Sequence, residues 1–164
     1  MMKIKNKHQL KRKEIKGFLE QIHEKLDDTY PFSVDTVEIG TVDTYELIFI
    51  NDIPLFFKRN DEFFYTLVGL LKYQPRKRYV VVDGGAVRFV TNGADVMAPG
   101  IVDADETIQK EDTVWICNEQ HRKPLAVGKA LMTGVEMKAA SSGKAVEMIH
   151  YIGDDLWNKT KELM

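Results

Sequence analysis

The chain has 164 residues, 44% hydrophobic and 29% charged, which suits one medium globular domain or two small ones. Its net charge is -2, so any affinity for nucleic acid must come from local clusters of cations and not from the overall field. Cys117 is the single cysteine, which excludes an internal disulfide and a cysteine-built zinc site, and no run approaches the roughly 18 apolar residues of a membrane span.

The opening MMKIKNKHQLKRKE is basic and lacks the apolar core of a secretory signal, so a soluble cytoplasmic protein is expected. From Lys11 to Leu26, residues Ile15, Phe18, Leu19, Ile22 and Leu26 recur at helical spacing, which predicts an amphipathic helix closed by Asp27 and Asp28. His8 and His23 stand among charged residues and read as surface. VDTVEIG and TYELIFI alternate as strands, and IPLFFK follows across Asn51-Asp52, a two-residue hairpin signal. DEFFYTLVGLLKY returns to helical spacing through Phe64, Leu67, Val68 and Leu71, with Asp61 as the expected N-cap. Phe32, Phe56, Phe57, Phe63 and Phe64 form either the core of this α+β unit or an exposed patch for a protein partner.

QPRKRY marks the expected boundary between domains 1–75 and 76–164. Pro75 disfavours helix at Gln74, and the three cations Arg76, Lys77 and Arg78 resist burial. Beyond it come the strand YVVV, a short helix over GAVRFVTNG, then DVMAPG, TVWIC, PLAVGKALM and AVEMIHYI, a pattern of short strands that fits a small barrel or sandwich.

The glycines of DGGAVRFVTNGADVMAPGI fall at 84, 85, 93 and 100, so they do not make the G-x-G-x-x-G of a dinucleotide site, and no G-K-[ST] follows for a P-loop. Gly93 ends the short helix as a left-handed cap and Gly100 follows Pro99 in a turn. Neither glycine by itself identifies a ligand. Cys117 and His121 are four apart but leave a strand for a turn, so a buried structural cysteine is expected and no metal. No spaced pair of carboxylates stands out for acid–base catalysis.

VVVDGGAVRFVTNGADVMAPGIV resembles the opening of a PUA domain, the RNA-binding module of pseudouridine synthases and archaeosine transglycosylases. The matching elements are Asp83, Gly85, Ala86, Gly93, Ala94, Val96, Met97, Ala98, Pro99, Gly100 and Ile101, and PLAVGKALMTGVEM resembles a later strand of the same domain. GKAVEMIHYIGDDLW, with its IHY…D.LW ending, is similar to the close of the malignant T-cell amplified sequence family and its archaeal relatives. PLFFKRNDEFFYTLVGLLKYQP resembles that family's N-terminal domain, with Tyr65 where the family has a proline.

The resemblance implies a small N-terminal α/β domain followed by a C-terminal PUA pseudo-barrel, an α+β protein overall. It implies a translation-associated RNA-binding factor, without enzymatic activity or cofactor, that meets the acceptor end of tRNA or the small ribosomal subunit in initiation or recycling. A density-regulated protein is the partner of the eukaryotic members. The alternatives are a protein that grips substrate for RNA modification and a protein-interaction adaptor.

The RNA face carried over from the family comprises Thr91, Asn92, Gly93, Ala94 and Asp95, with Met97 and Ala98 behind them, and the bare Gly93 is expected to offer its N–H to a phosphate or base edge. His150, Tyr151 and Trp157 are aromatics for stacking or for packing, with Tyr151 the one assigned to RNA. Arg76, Lys77 and Arg78 are expected beside this face, extended by Lys129 and Lys144, while the cations of residues 3–13 serve ribosomal RNA or solubility.

Overall fold

The computed structural model describes residues 3–26 and 33–164; Asp27, Asp28 and Phe32 lie outside the described residues. Strand β1 (Lys5–Gln9) and helix α1 (Arg12–Leu26) lead into a meander of β2 (Val37–Val42), β3 (Tyr45–Ile50), β4 (Ile53–Arg59) and β5 (Glu62–Tyr65). These five strands form one antiparallel sheet in chain order. Asn51 and Asp52, at φ of 52° and 67°, make the expected turn between β3 and β4. Asn60 and Asp61, at 51° and 62°, repeat it between β4 and β5. Two successive residues at positive φ give the backbone twist a tight hairpin needs, and short Asn and Asp side chains tolerate it.

This second turn corrects the expected helix over DEFFYTLVGLLKY. Glu62–Tyr65 pairs with β4, and helix α2 (Leu67–Lys72) begins only after Thr66, whose hydroxyl accepts from the Gly69 N–H at 3.0 Å and so replaces Asp61 as N-cap. The phenylalanines are core: Phe56, Phe57 and Phe64 are at most 4% exposed, and Phe18 of α1 meets Phe56 and Phe63 edge-on.

The second half forms a six-stranded sheet from β6 (Tyr79–Val82), β7 (Val96–Met97), β8 (Ile101–Ala104), β9 (Thr113–Asn118), β10 (Pro124–Ala130) and β11 (Lys144–Tyr151), in the order β7-β11-β10-β9-β6-β8. All its pairs are antiparallel except β6 with β9. A 3₁₀ turn, Ala98–Gly100, carries the chain from one edge strand, β7, to the other, β8, and the Asp83 N–H donates to the Gly100 carbonyl at 3.0 Å. The sheet is thereby a nearly closed pseudo-barrel, as expected from the resemblance. Helices α3 (Gly84–Val90), α4 (Gly134–Ala139) and α5 (Asp155–Glu162) complete the chain. Among the described residues, no helix is long and apolar enough to cross a membrane, and no three His, Cys, Asp or Glu side chains cluster to hold a metal ion.

The runs YVVV, TVWIC and PLAV are unbroken by polar residues because both faces of these strands are covered. Val80, Val82, Val114, Ile116 and Ala126 point into the barrel. The alternate residues Val81, Trp115, Cys117 and Val127 join a core shared with Phe56, Phe57, Leu67 and Leu70 of the first half. Polar bonds reinforce this shared core. His150 of β11, 0% exposed, accepts from the Leu67 N–H at Nε2 (3.0 Å) and donates from Nδ1 to Asp154 (2.8 Å). Asp154 also caps α5 by accepting from the Trp157 N–H at 2.7 Å and holds the Tyr151 N–H at 3.0 Å. On the flanks, the Tyr45 hydroxyl donates to Asp155, Lys159 bridges to Asp43, and Lys129 bridges to Glu62.

Candidate functional site

Helix α3 leaves the end of β6, where Asp83 caps it by accepting from the Ala86 N–H at 2.8 Å. Gly100 lets the helix lie close to the 3₁₀ turn, since a Cβ there would come within 2.9 Å of the Ala86 methyl. At the other end the Ala94 N–H reaches back to Phe89 O and the Gly93 N–H to Val90 O, both at 3.0 Å, with Gly93 at φ +89°. This is the Schellman pattern, and the expected left-handed cap is present.

The same bonds correct the expectation that the Gly93 N–H awaits a phosphate: it is already bonded to Val90. The missing side chain serves packing. A Cβ on Gly93 would stand 2.8 Å from the Tyr151 ring, so Tyr151 is the plate against which the cap is seated. The Thr91 hydroxyl and the Asn92 amide likewise turn back, donating to the carbonyls of Val87 (3.0 Å) and Arg88 (2.7 Å). Asp95 Oδ1 accepts from the Met148 N–H at 2.9 Å, and its Oδ2 pairs with the exposed Lys144 at 3.3 Å.

Between α3 and the 3₁₀ turn lies an open groove of about 430 Å³, floored by Ala86, Val90, Ala94 and Pro99 and rimmed by Asp83 and Asp95. Phe89 and Met97 stand on its edges, 54% and 46% exposed. Met97 is therefore at the surface and not behind it, whereas Ala98, 2% exposed, is behind it as expected. Phe89 and Arg88 were not singled out from the sequence. Their signal is faint: in GAVRFV the inward row is Ala86, Val87 and Val90, which leaves Phe89 an apolar residue on the outer face of a short helix, with the Arg88 guanidinium 4.9 Å from its ring centre.

The expected cations do not converge here. Arg76, Lys77 and Arg78 precede β6 while α3 follows it, and five extended residues from 78 to 83 span roughly 16 Å. Arg78 also contradicts the expectation that this triplet resists burial. Its side chain, 11% exposed, bonds to Asp112 at 2.6 Å and to the Thr107 carbonyl at 2.9 Å, while its N–H donates to Asp105 at 2.6 Å. Burial pushes the Asp105 carboxyl up, but the bonds from Arg78 and Thr107 outweigh it and hold the group below the usual carboxylate range. Lys129 lies between Glu62 (3.1 Å) and Glu111 (3.8 Å). Of the expected cations, only Lys144 adjoins the groove. His150 packs on Phe57 of the shared core and Trp157 lies at that core's margin, whereas Tyr151 packs against the barrel core.

Residues 78–152 match the model of the PUA domain, and residues 6–73 match a domain of unknown function, DUF1947. The chain is 31% identical over 155 residues to translation machinery-associated protein 20 of Eremothecium gossypii, covering 91% of this chain and 85% of that protein. It is 30% identical over 166 residues to malignant T-cell-amplified sequence 1 of Rattus norvegicus, covering 94% and 91%. Its structure is similar to that of a hypothetical protein from the archaeon Pyrococcus horikoshii, with a TM-score of 0.81 and 38% identity over 94% of this chain and 99% of that one. Since the likeness runs through both halves and not the PUA domain alone, the chain belongs to the malignant T-cell-amplified sequence family.

Proposed function

We propose that the protein is a non-enzymatic RNA-binding factor of the translation machinery. Its α3 groove takes the single-stranded acceptor end of tRNA, on or off the small ribosomal subunit, during initiation or recycling. The chain divides near residue 75, with the RNA face in 76–164 and the first half serving ribosome or protein contacts. The PUA domain and the relative named for the translation machinery support this reading. The observation that carries it is the exposed Phe89 beside an apolar groove paved with small residues.

That surface suits bases better than phosphates. An accessible ring stacks an unpaired base for about 1–3 kcal/mol, whatever its identity. The carboxylates of Asp83 and Asp95 repel phosphate from the groove and accept from exocyclic amino groups. Splayed single strands offer such faces and edges, and paired helices do not. Thr91, Asn92, Gly93 and Ala94 act by shaping the cap that presents Phe89, backed by Tyr151, while Met97 and Lys144 meet the strand at the rim.

The test is binding of labelled tRNA, with and without its single-stranded 3′ end, by wild type and Phe89→Ala across a salt series. The account expects binding that needs the 3′ end and weakens about 5- to 150-fold in Phe89→Ala, the equivalent of one lost stacking contact. Equal binding of the truncated tRNA overturns it.

A further inference from the structure

A second hollow of about 470 Å³ lies between the two halves, walled by Tyr45, Lys58 and Arg59 on one side and by Met148, Ile149 and Asp154 on the other. It adjoins the α3 groove, because Met148 in its wall donates its N–H to Asp95 on the groove's rim at 2.9 Å. We propose that this cleft is a second RNA subsite, in which Arg59, assisted by Lys58, holds the phosphates of the strand whose end occupies the α3 groove. The inference rests on the RNA-binding reading and adds to it a role for the first half of the chain.

Charge is the argument. The groove is apolar with an acidic rim, and the cations expected beside it are distant or bridged to carboxylates. A bound strand needs its phosphates neutralised, and beyond Arg88 and Lys144 at the groove itself, the adjoining hollow is lined by the two cations at the end of β4. Arg59 is exposed, and its guanidinium makes no hydrogen bond or ion pair among the described residues. Among the described residues Lys58 lies over the Phe63 ring at 5.9 Å and pairs with Asp61 at 3.6 Å, a carboxylate whose side chain is 97% exposed, and such a surface pair yields readily to a phosphate.

Among the carboxylates near the cleft, Glu62 stands opposite Arg59 in the β4–β5 register and is bridged to Lys129 at 3.1 Å. Asp154 is occupied by His150, Tyr151 and Trp157, and Asp155 by Tyr45 and Lys159. Glu46 stands opposite Lys58 in the β3–β4 register. Tyr45 and Met148 provide apolar contact for the sugar and base between phosphates. The tight Asn60-Asp61 turn fixes Arg59 at a strand end, so the cation is presented on a rigid hairpin.

The experiment measures tRNA affinity of the full-length protein against salt for wild type, Arg59→Gln, Arg59→Lys and Phe89→Ala. Arg59→Gln is expected to weaken binding severalfold and to reduce the slope of log K against log salt by about 0.7, the contribution of one phosphate on a single strand. Arg59→Lys should keep the slope, and Phe89→Ala should weaken binding while leaving the slope unchanged. Arg59→Gln should melt with wild type, because the side chain is exposed and bonded to nothing described, so loss of folding does not mimic the result. If Phe89→Ala weakens binding but Arg59→Gln matches wild type in affinity and slope, the cleft proposal is overturned and the groove reading stands. If wild type does not bind tRNA, both fall.

Discussion

Replacing His150 by alanine should loosen the two halves together, because one ring bonds to both. His150 is 0% exposed; its Nε2 satisfies the Leu67 N–H at the start of α2 and its Nδ1–H satisfies Asp154 at the start of α5. The variant leaves a buried N–H and part of a carboxylate without partners, at about 1–3 kcal/mol each. It also opens a cavity beside Phe57, whose ring meets the imidazole edge-on at 5.4 Å. A total of about 3–5 kcal/mol converts to a fall in Tm of roughly 6–20 °C at this chain length.

The effect carries a pH signature. Burial raises the Asp154 carboxyl, but hydrogen bonds from His150, Trp157 and Tyr151 outweigh it and hold the group below the usual carboxylate range. A folded-state value below the unfolded one means that ionised Asp154 stabilises the fold above about pH 4, and that this part is lost as pH falls through the folded value. Removing His150 removes a principal bond behind that shift, so the gap in Tm between wild type and variant should narrow as pH drops below 4. Differential scanning calorimetry from pH 7 to pH 3 measures both. A variant that melts within about 2 °C of wild type at pH 7 would refute the reasoning.

Gly93→Ala should cost at least about 1–2 kcal/mol for the left-handed backbone, and more as its methyl meets Tyr151, while Gly17→Ala in α1, with nothing within 4 Å of the new Cβ, should gain about 0.5–1 kcal/mol; urea unfolding of the two variants reads the contrast. Arg78→Met should destabilise by on the order of 3 kcal/mol by leaving Asp112 and the Thr107 carbonyl short of their partner, and a Tm unchanged from wild type would return Arg78 to the surface cations. Burial pushes the Cys117 thiol up to about 11, with Asp103 adding to the effect and Arg122 opposing it, so the folded protein should resist an aromatic disulfide reagent at pH 8 and react with one equivalent in guanidinium chloride.

The architecture was legible wherever one physical signal acted alone. Asn51-Asp52 between alternating strands gave a correct hairpin, and the glycine at 93 gave a correct cap. Asn60-Asp61 carries the same turn signal, yet the helical spacing of Leu67, Val68 and Leu71 absorbed it and hid β5. Local turn chemistry prevailed there over apparent periodicity, because α2 is short and Phe64 belongs to the row facing the strand's own neighbours. α4 carries a mark visible in the sequence, the Thr-x-x-Glu capping box of Thr133 and Glu136.

Of the proposed site, the turn itself was legible but the bonding of its groups was not. The resemblance located the turn from Thr91 to Asp95, but the polar groups there mostly close the helix end upon itself. The aromatic and cation that stand outward, Phe89 and Arg88, carry only a faint mark in the sequence, since one apolar residue off the inward row of a two-turn helix is weak evidence of a surface role. The cation triplet misled because a run of charges does not reveal the carboxylates that tertiary structure brings to it; Asp105 and Asp112 lie more than 25 residues from Arg78. Arg59 was invisible for the opposite reason, since its relation to the groove exists only once the two halves meet.

The most direct test of the account is two-dimensional NMR of the isotope-labelled protein titrated with a short single-stranded RNA matching a tRNA 3′ end. Shifts confined to Asp83–Met97 and the Phe89 ring, spreading toward Arg59 as the strand is lengthened, are the predicted result. Shifts centred on β1 and α1, or none at saturating RNA, would contradict the claim that the α3 groove is where this protein holds RNA.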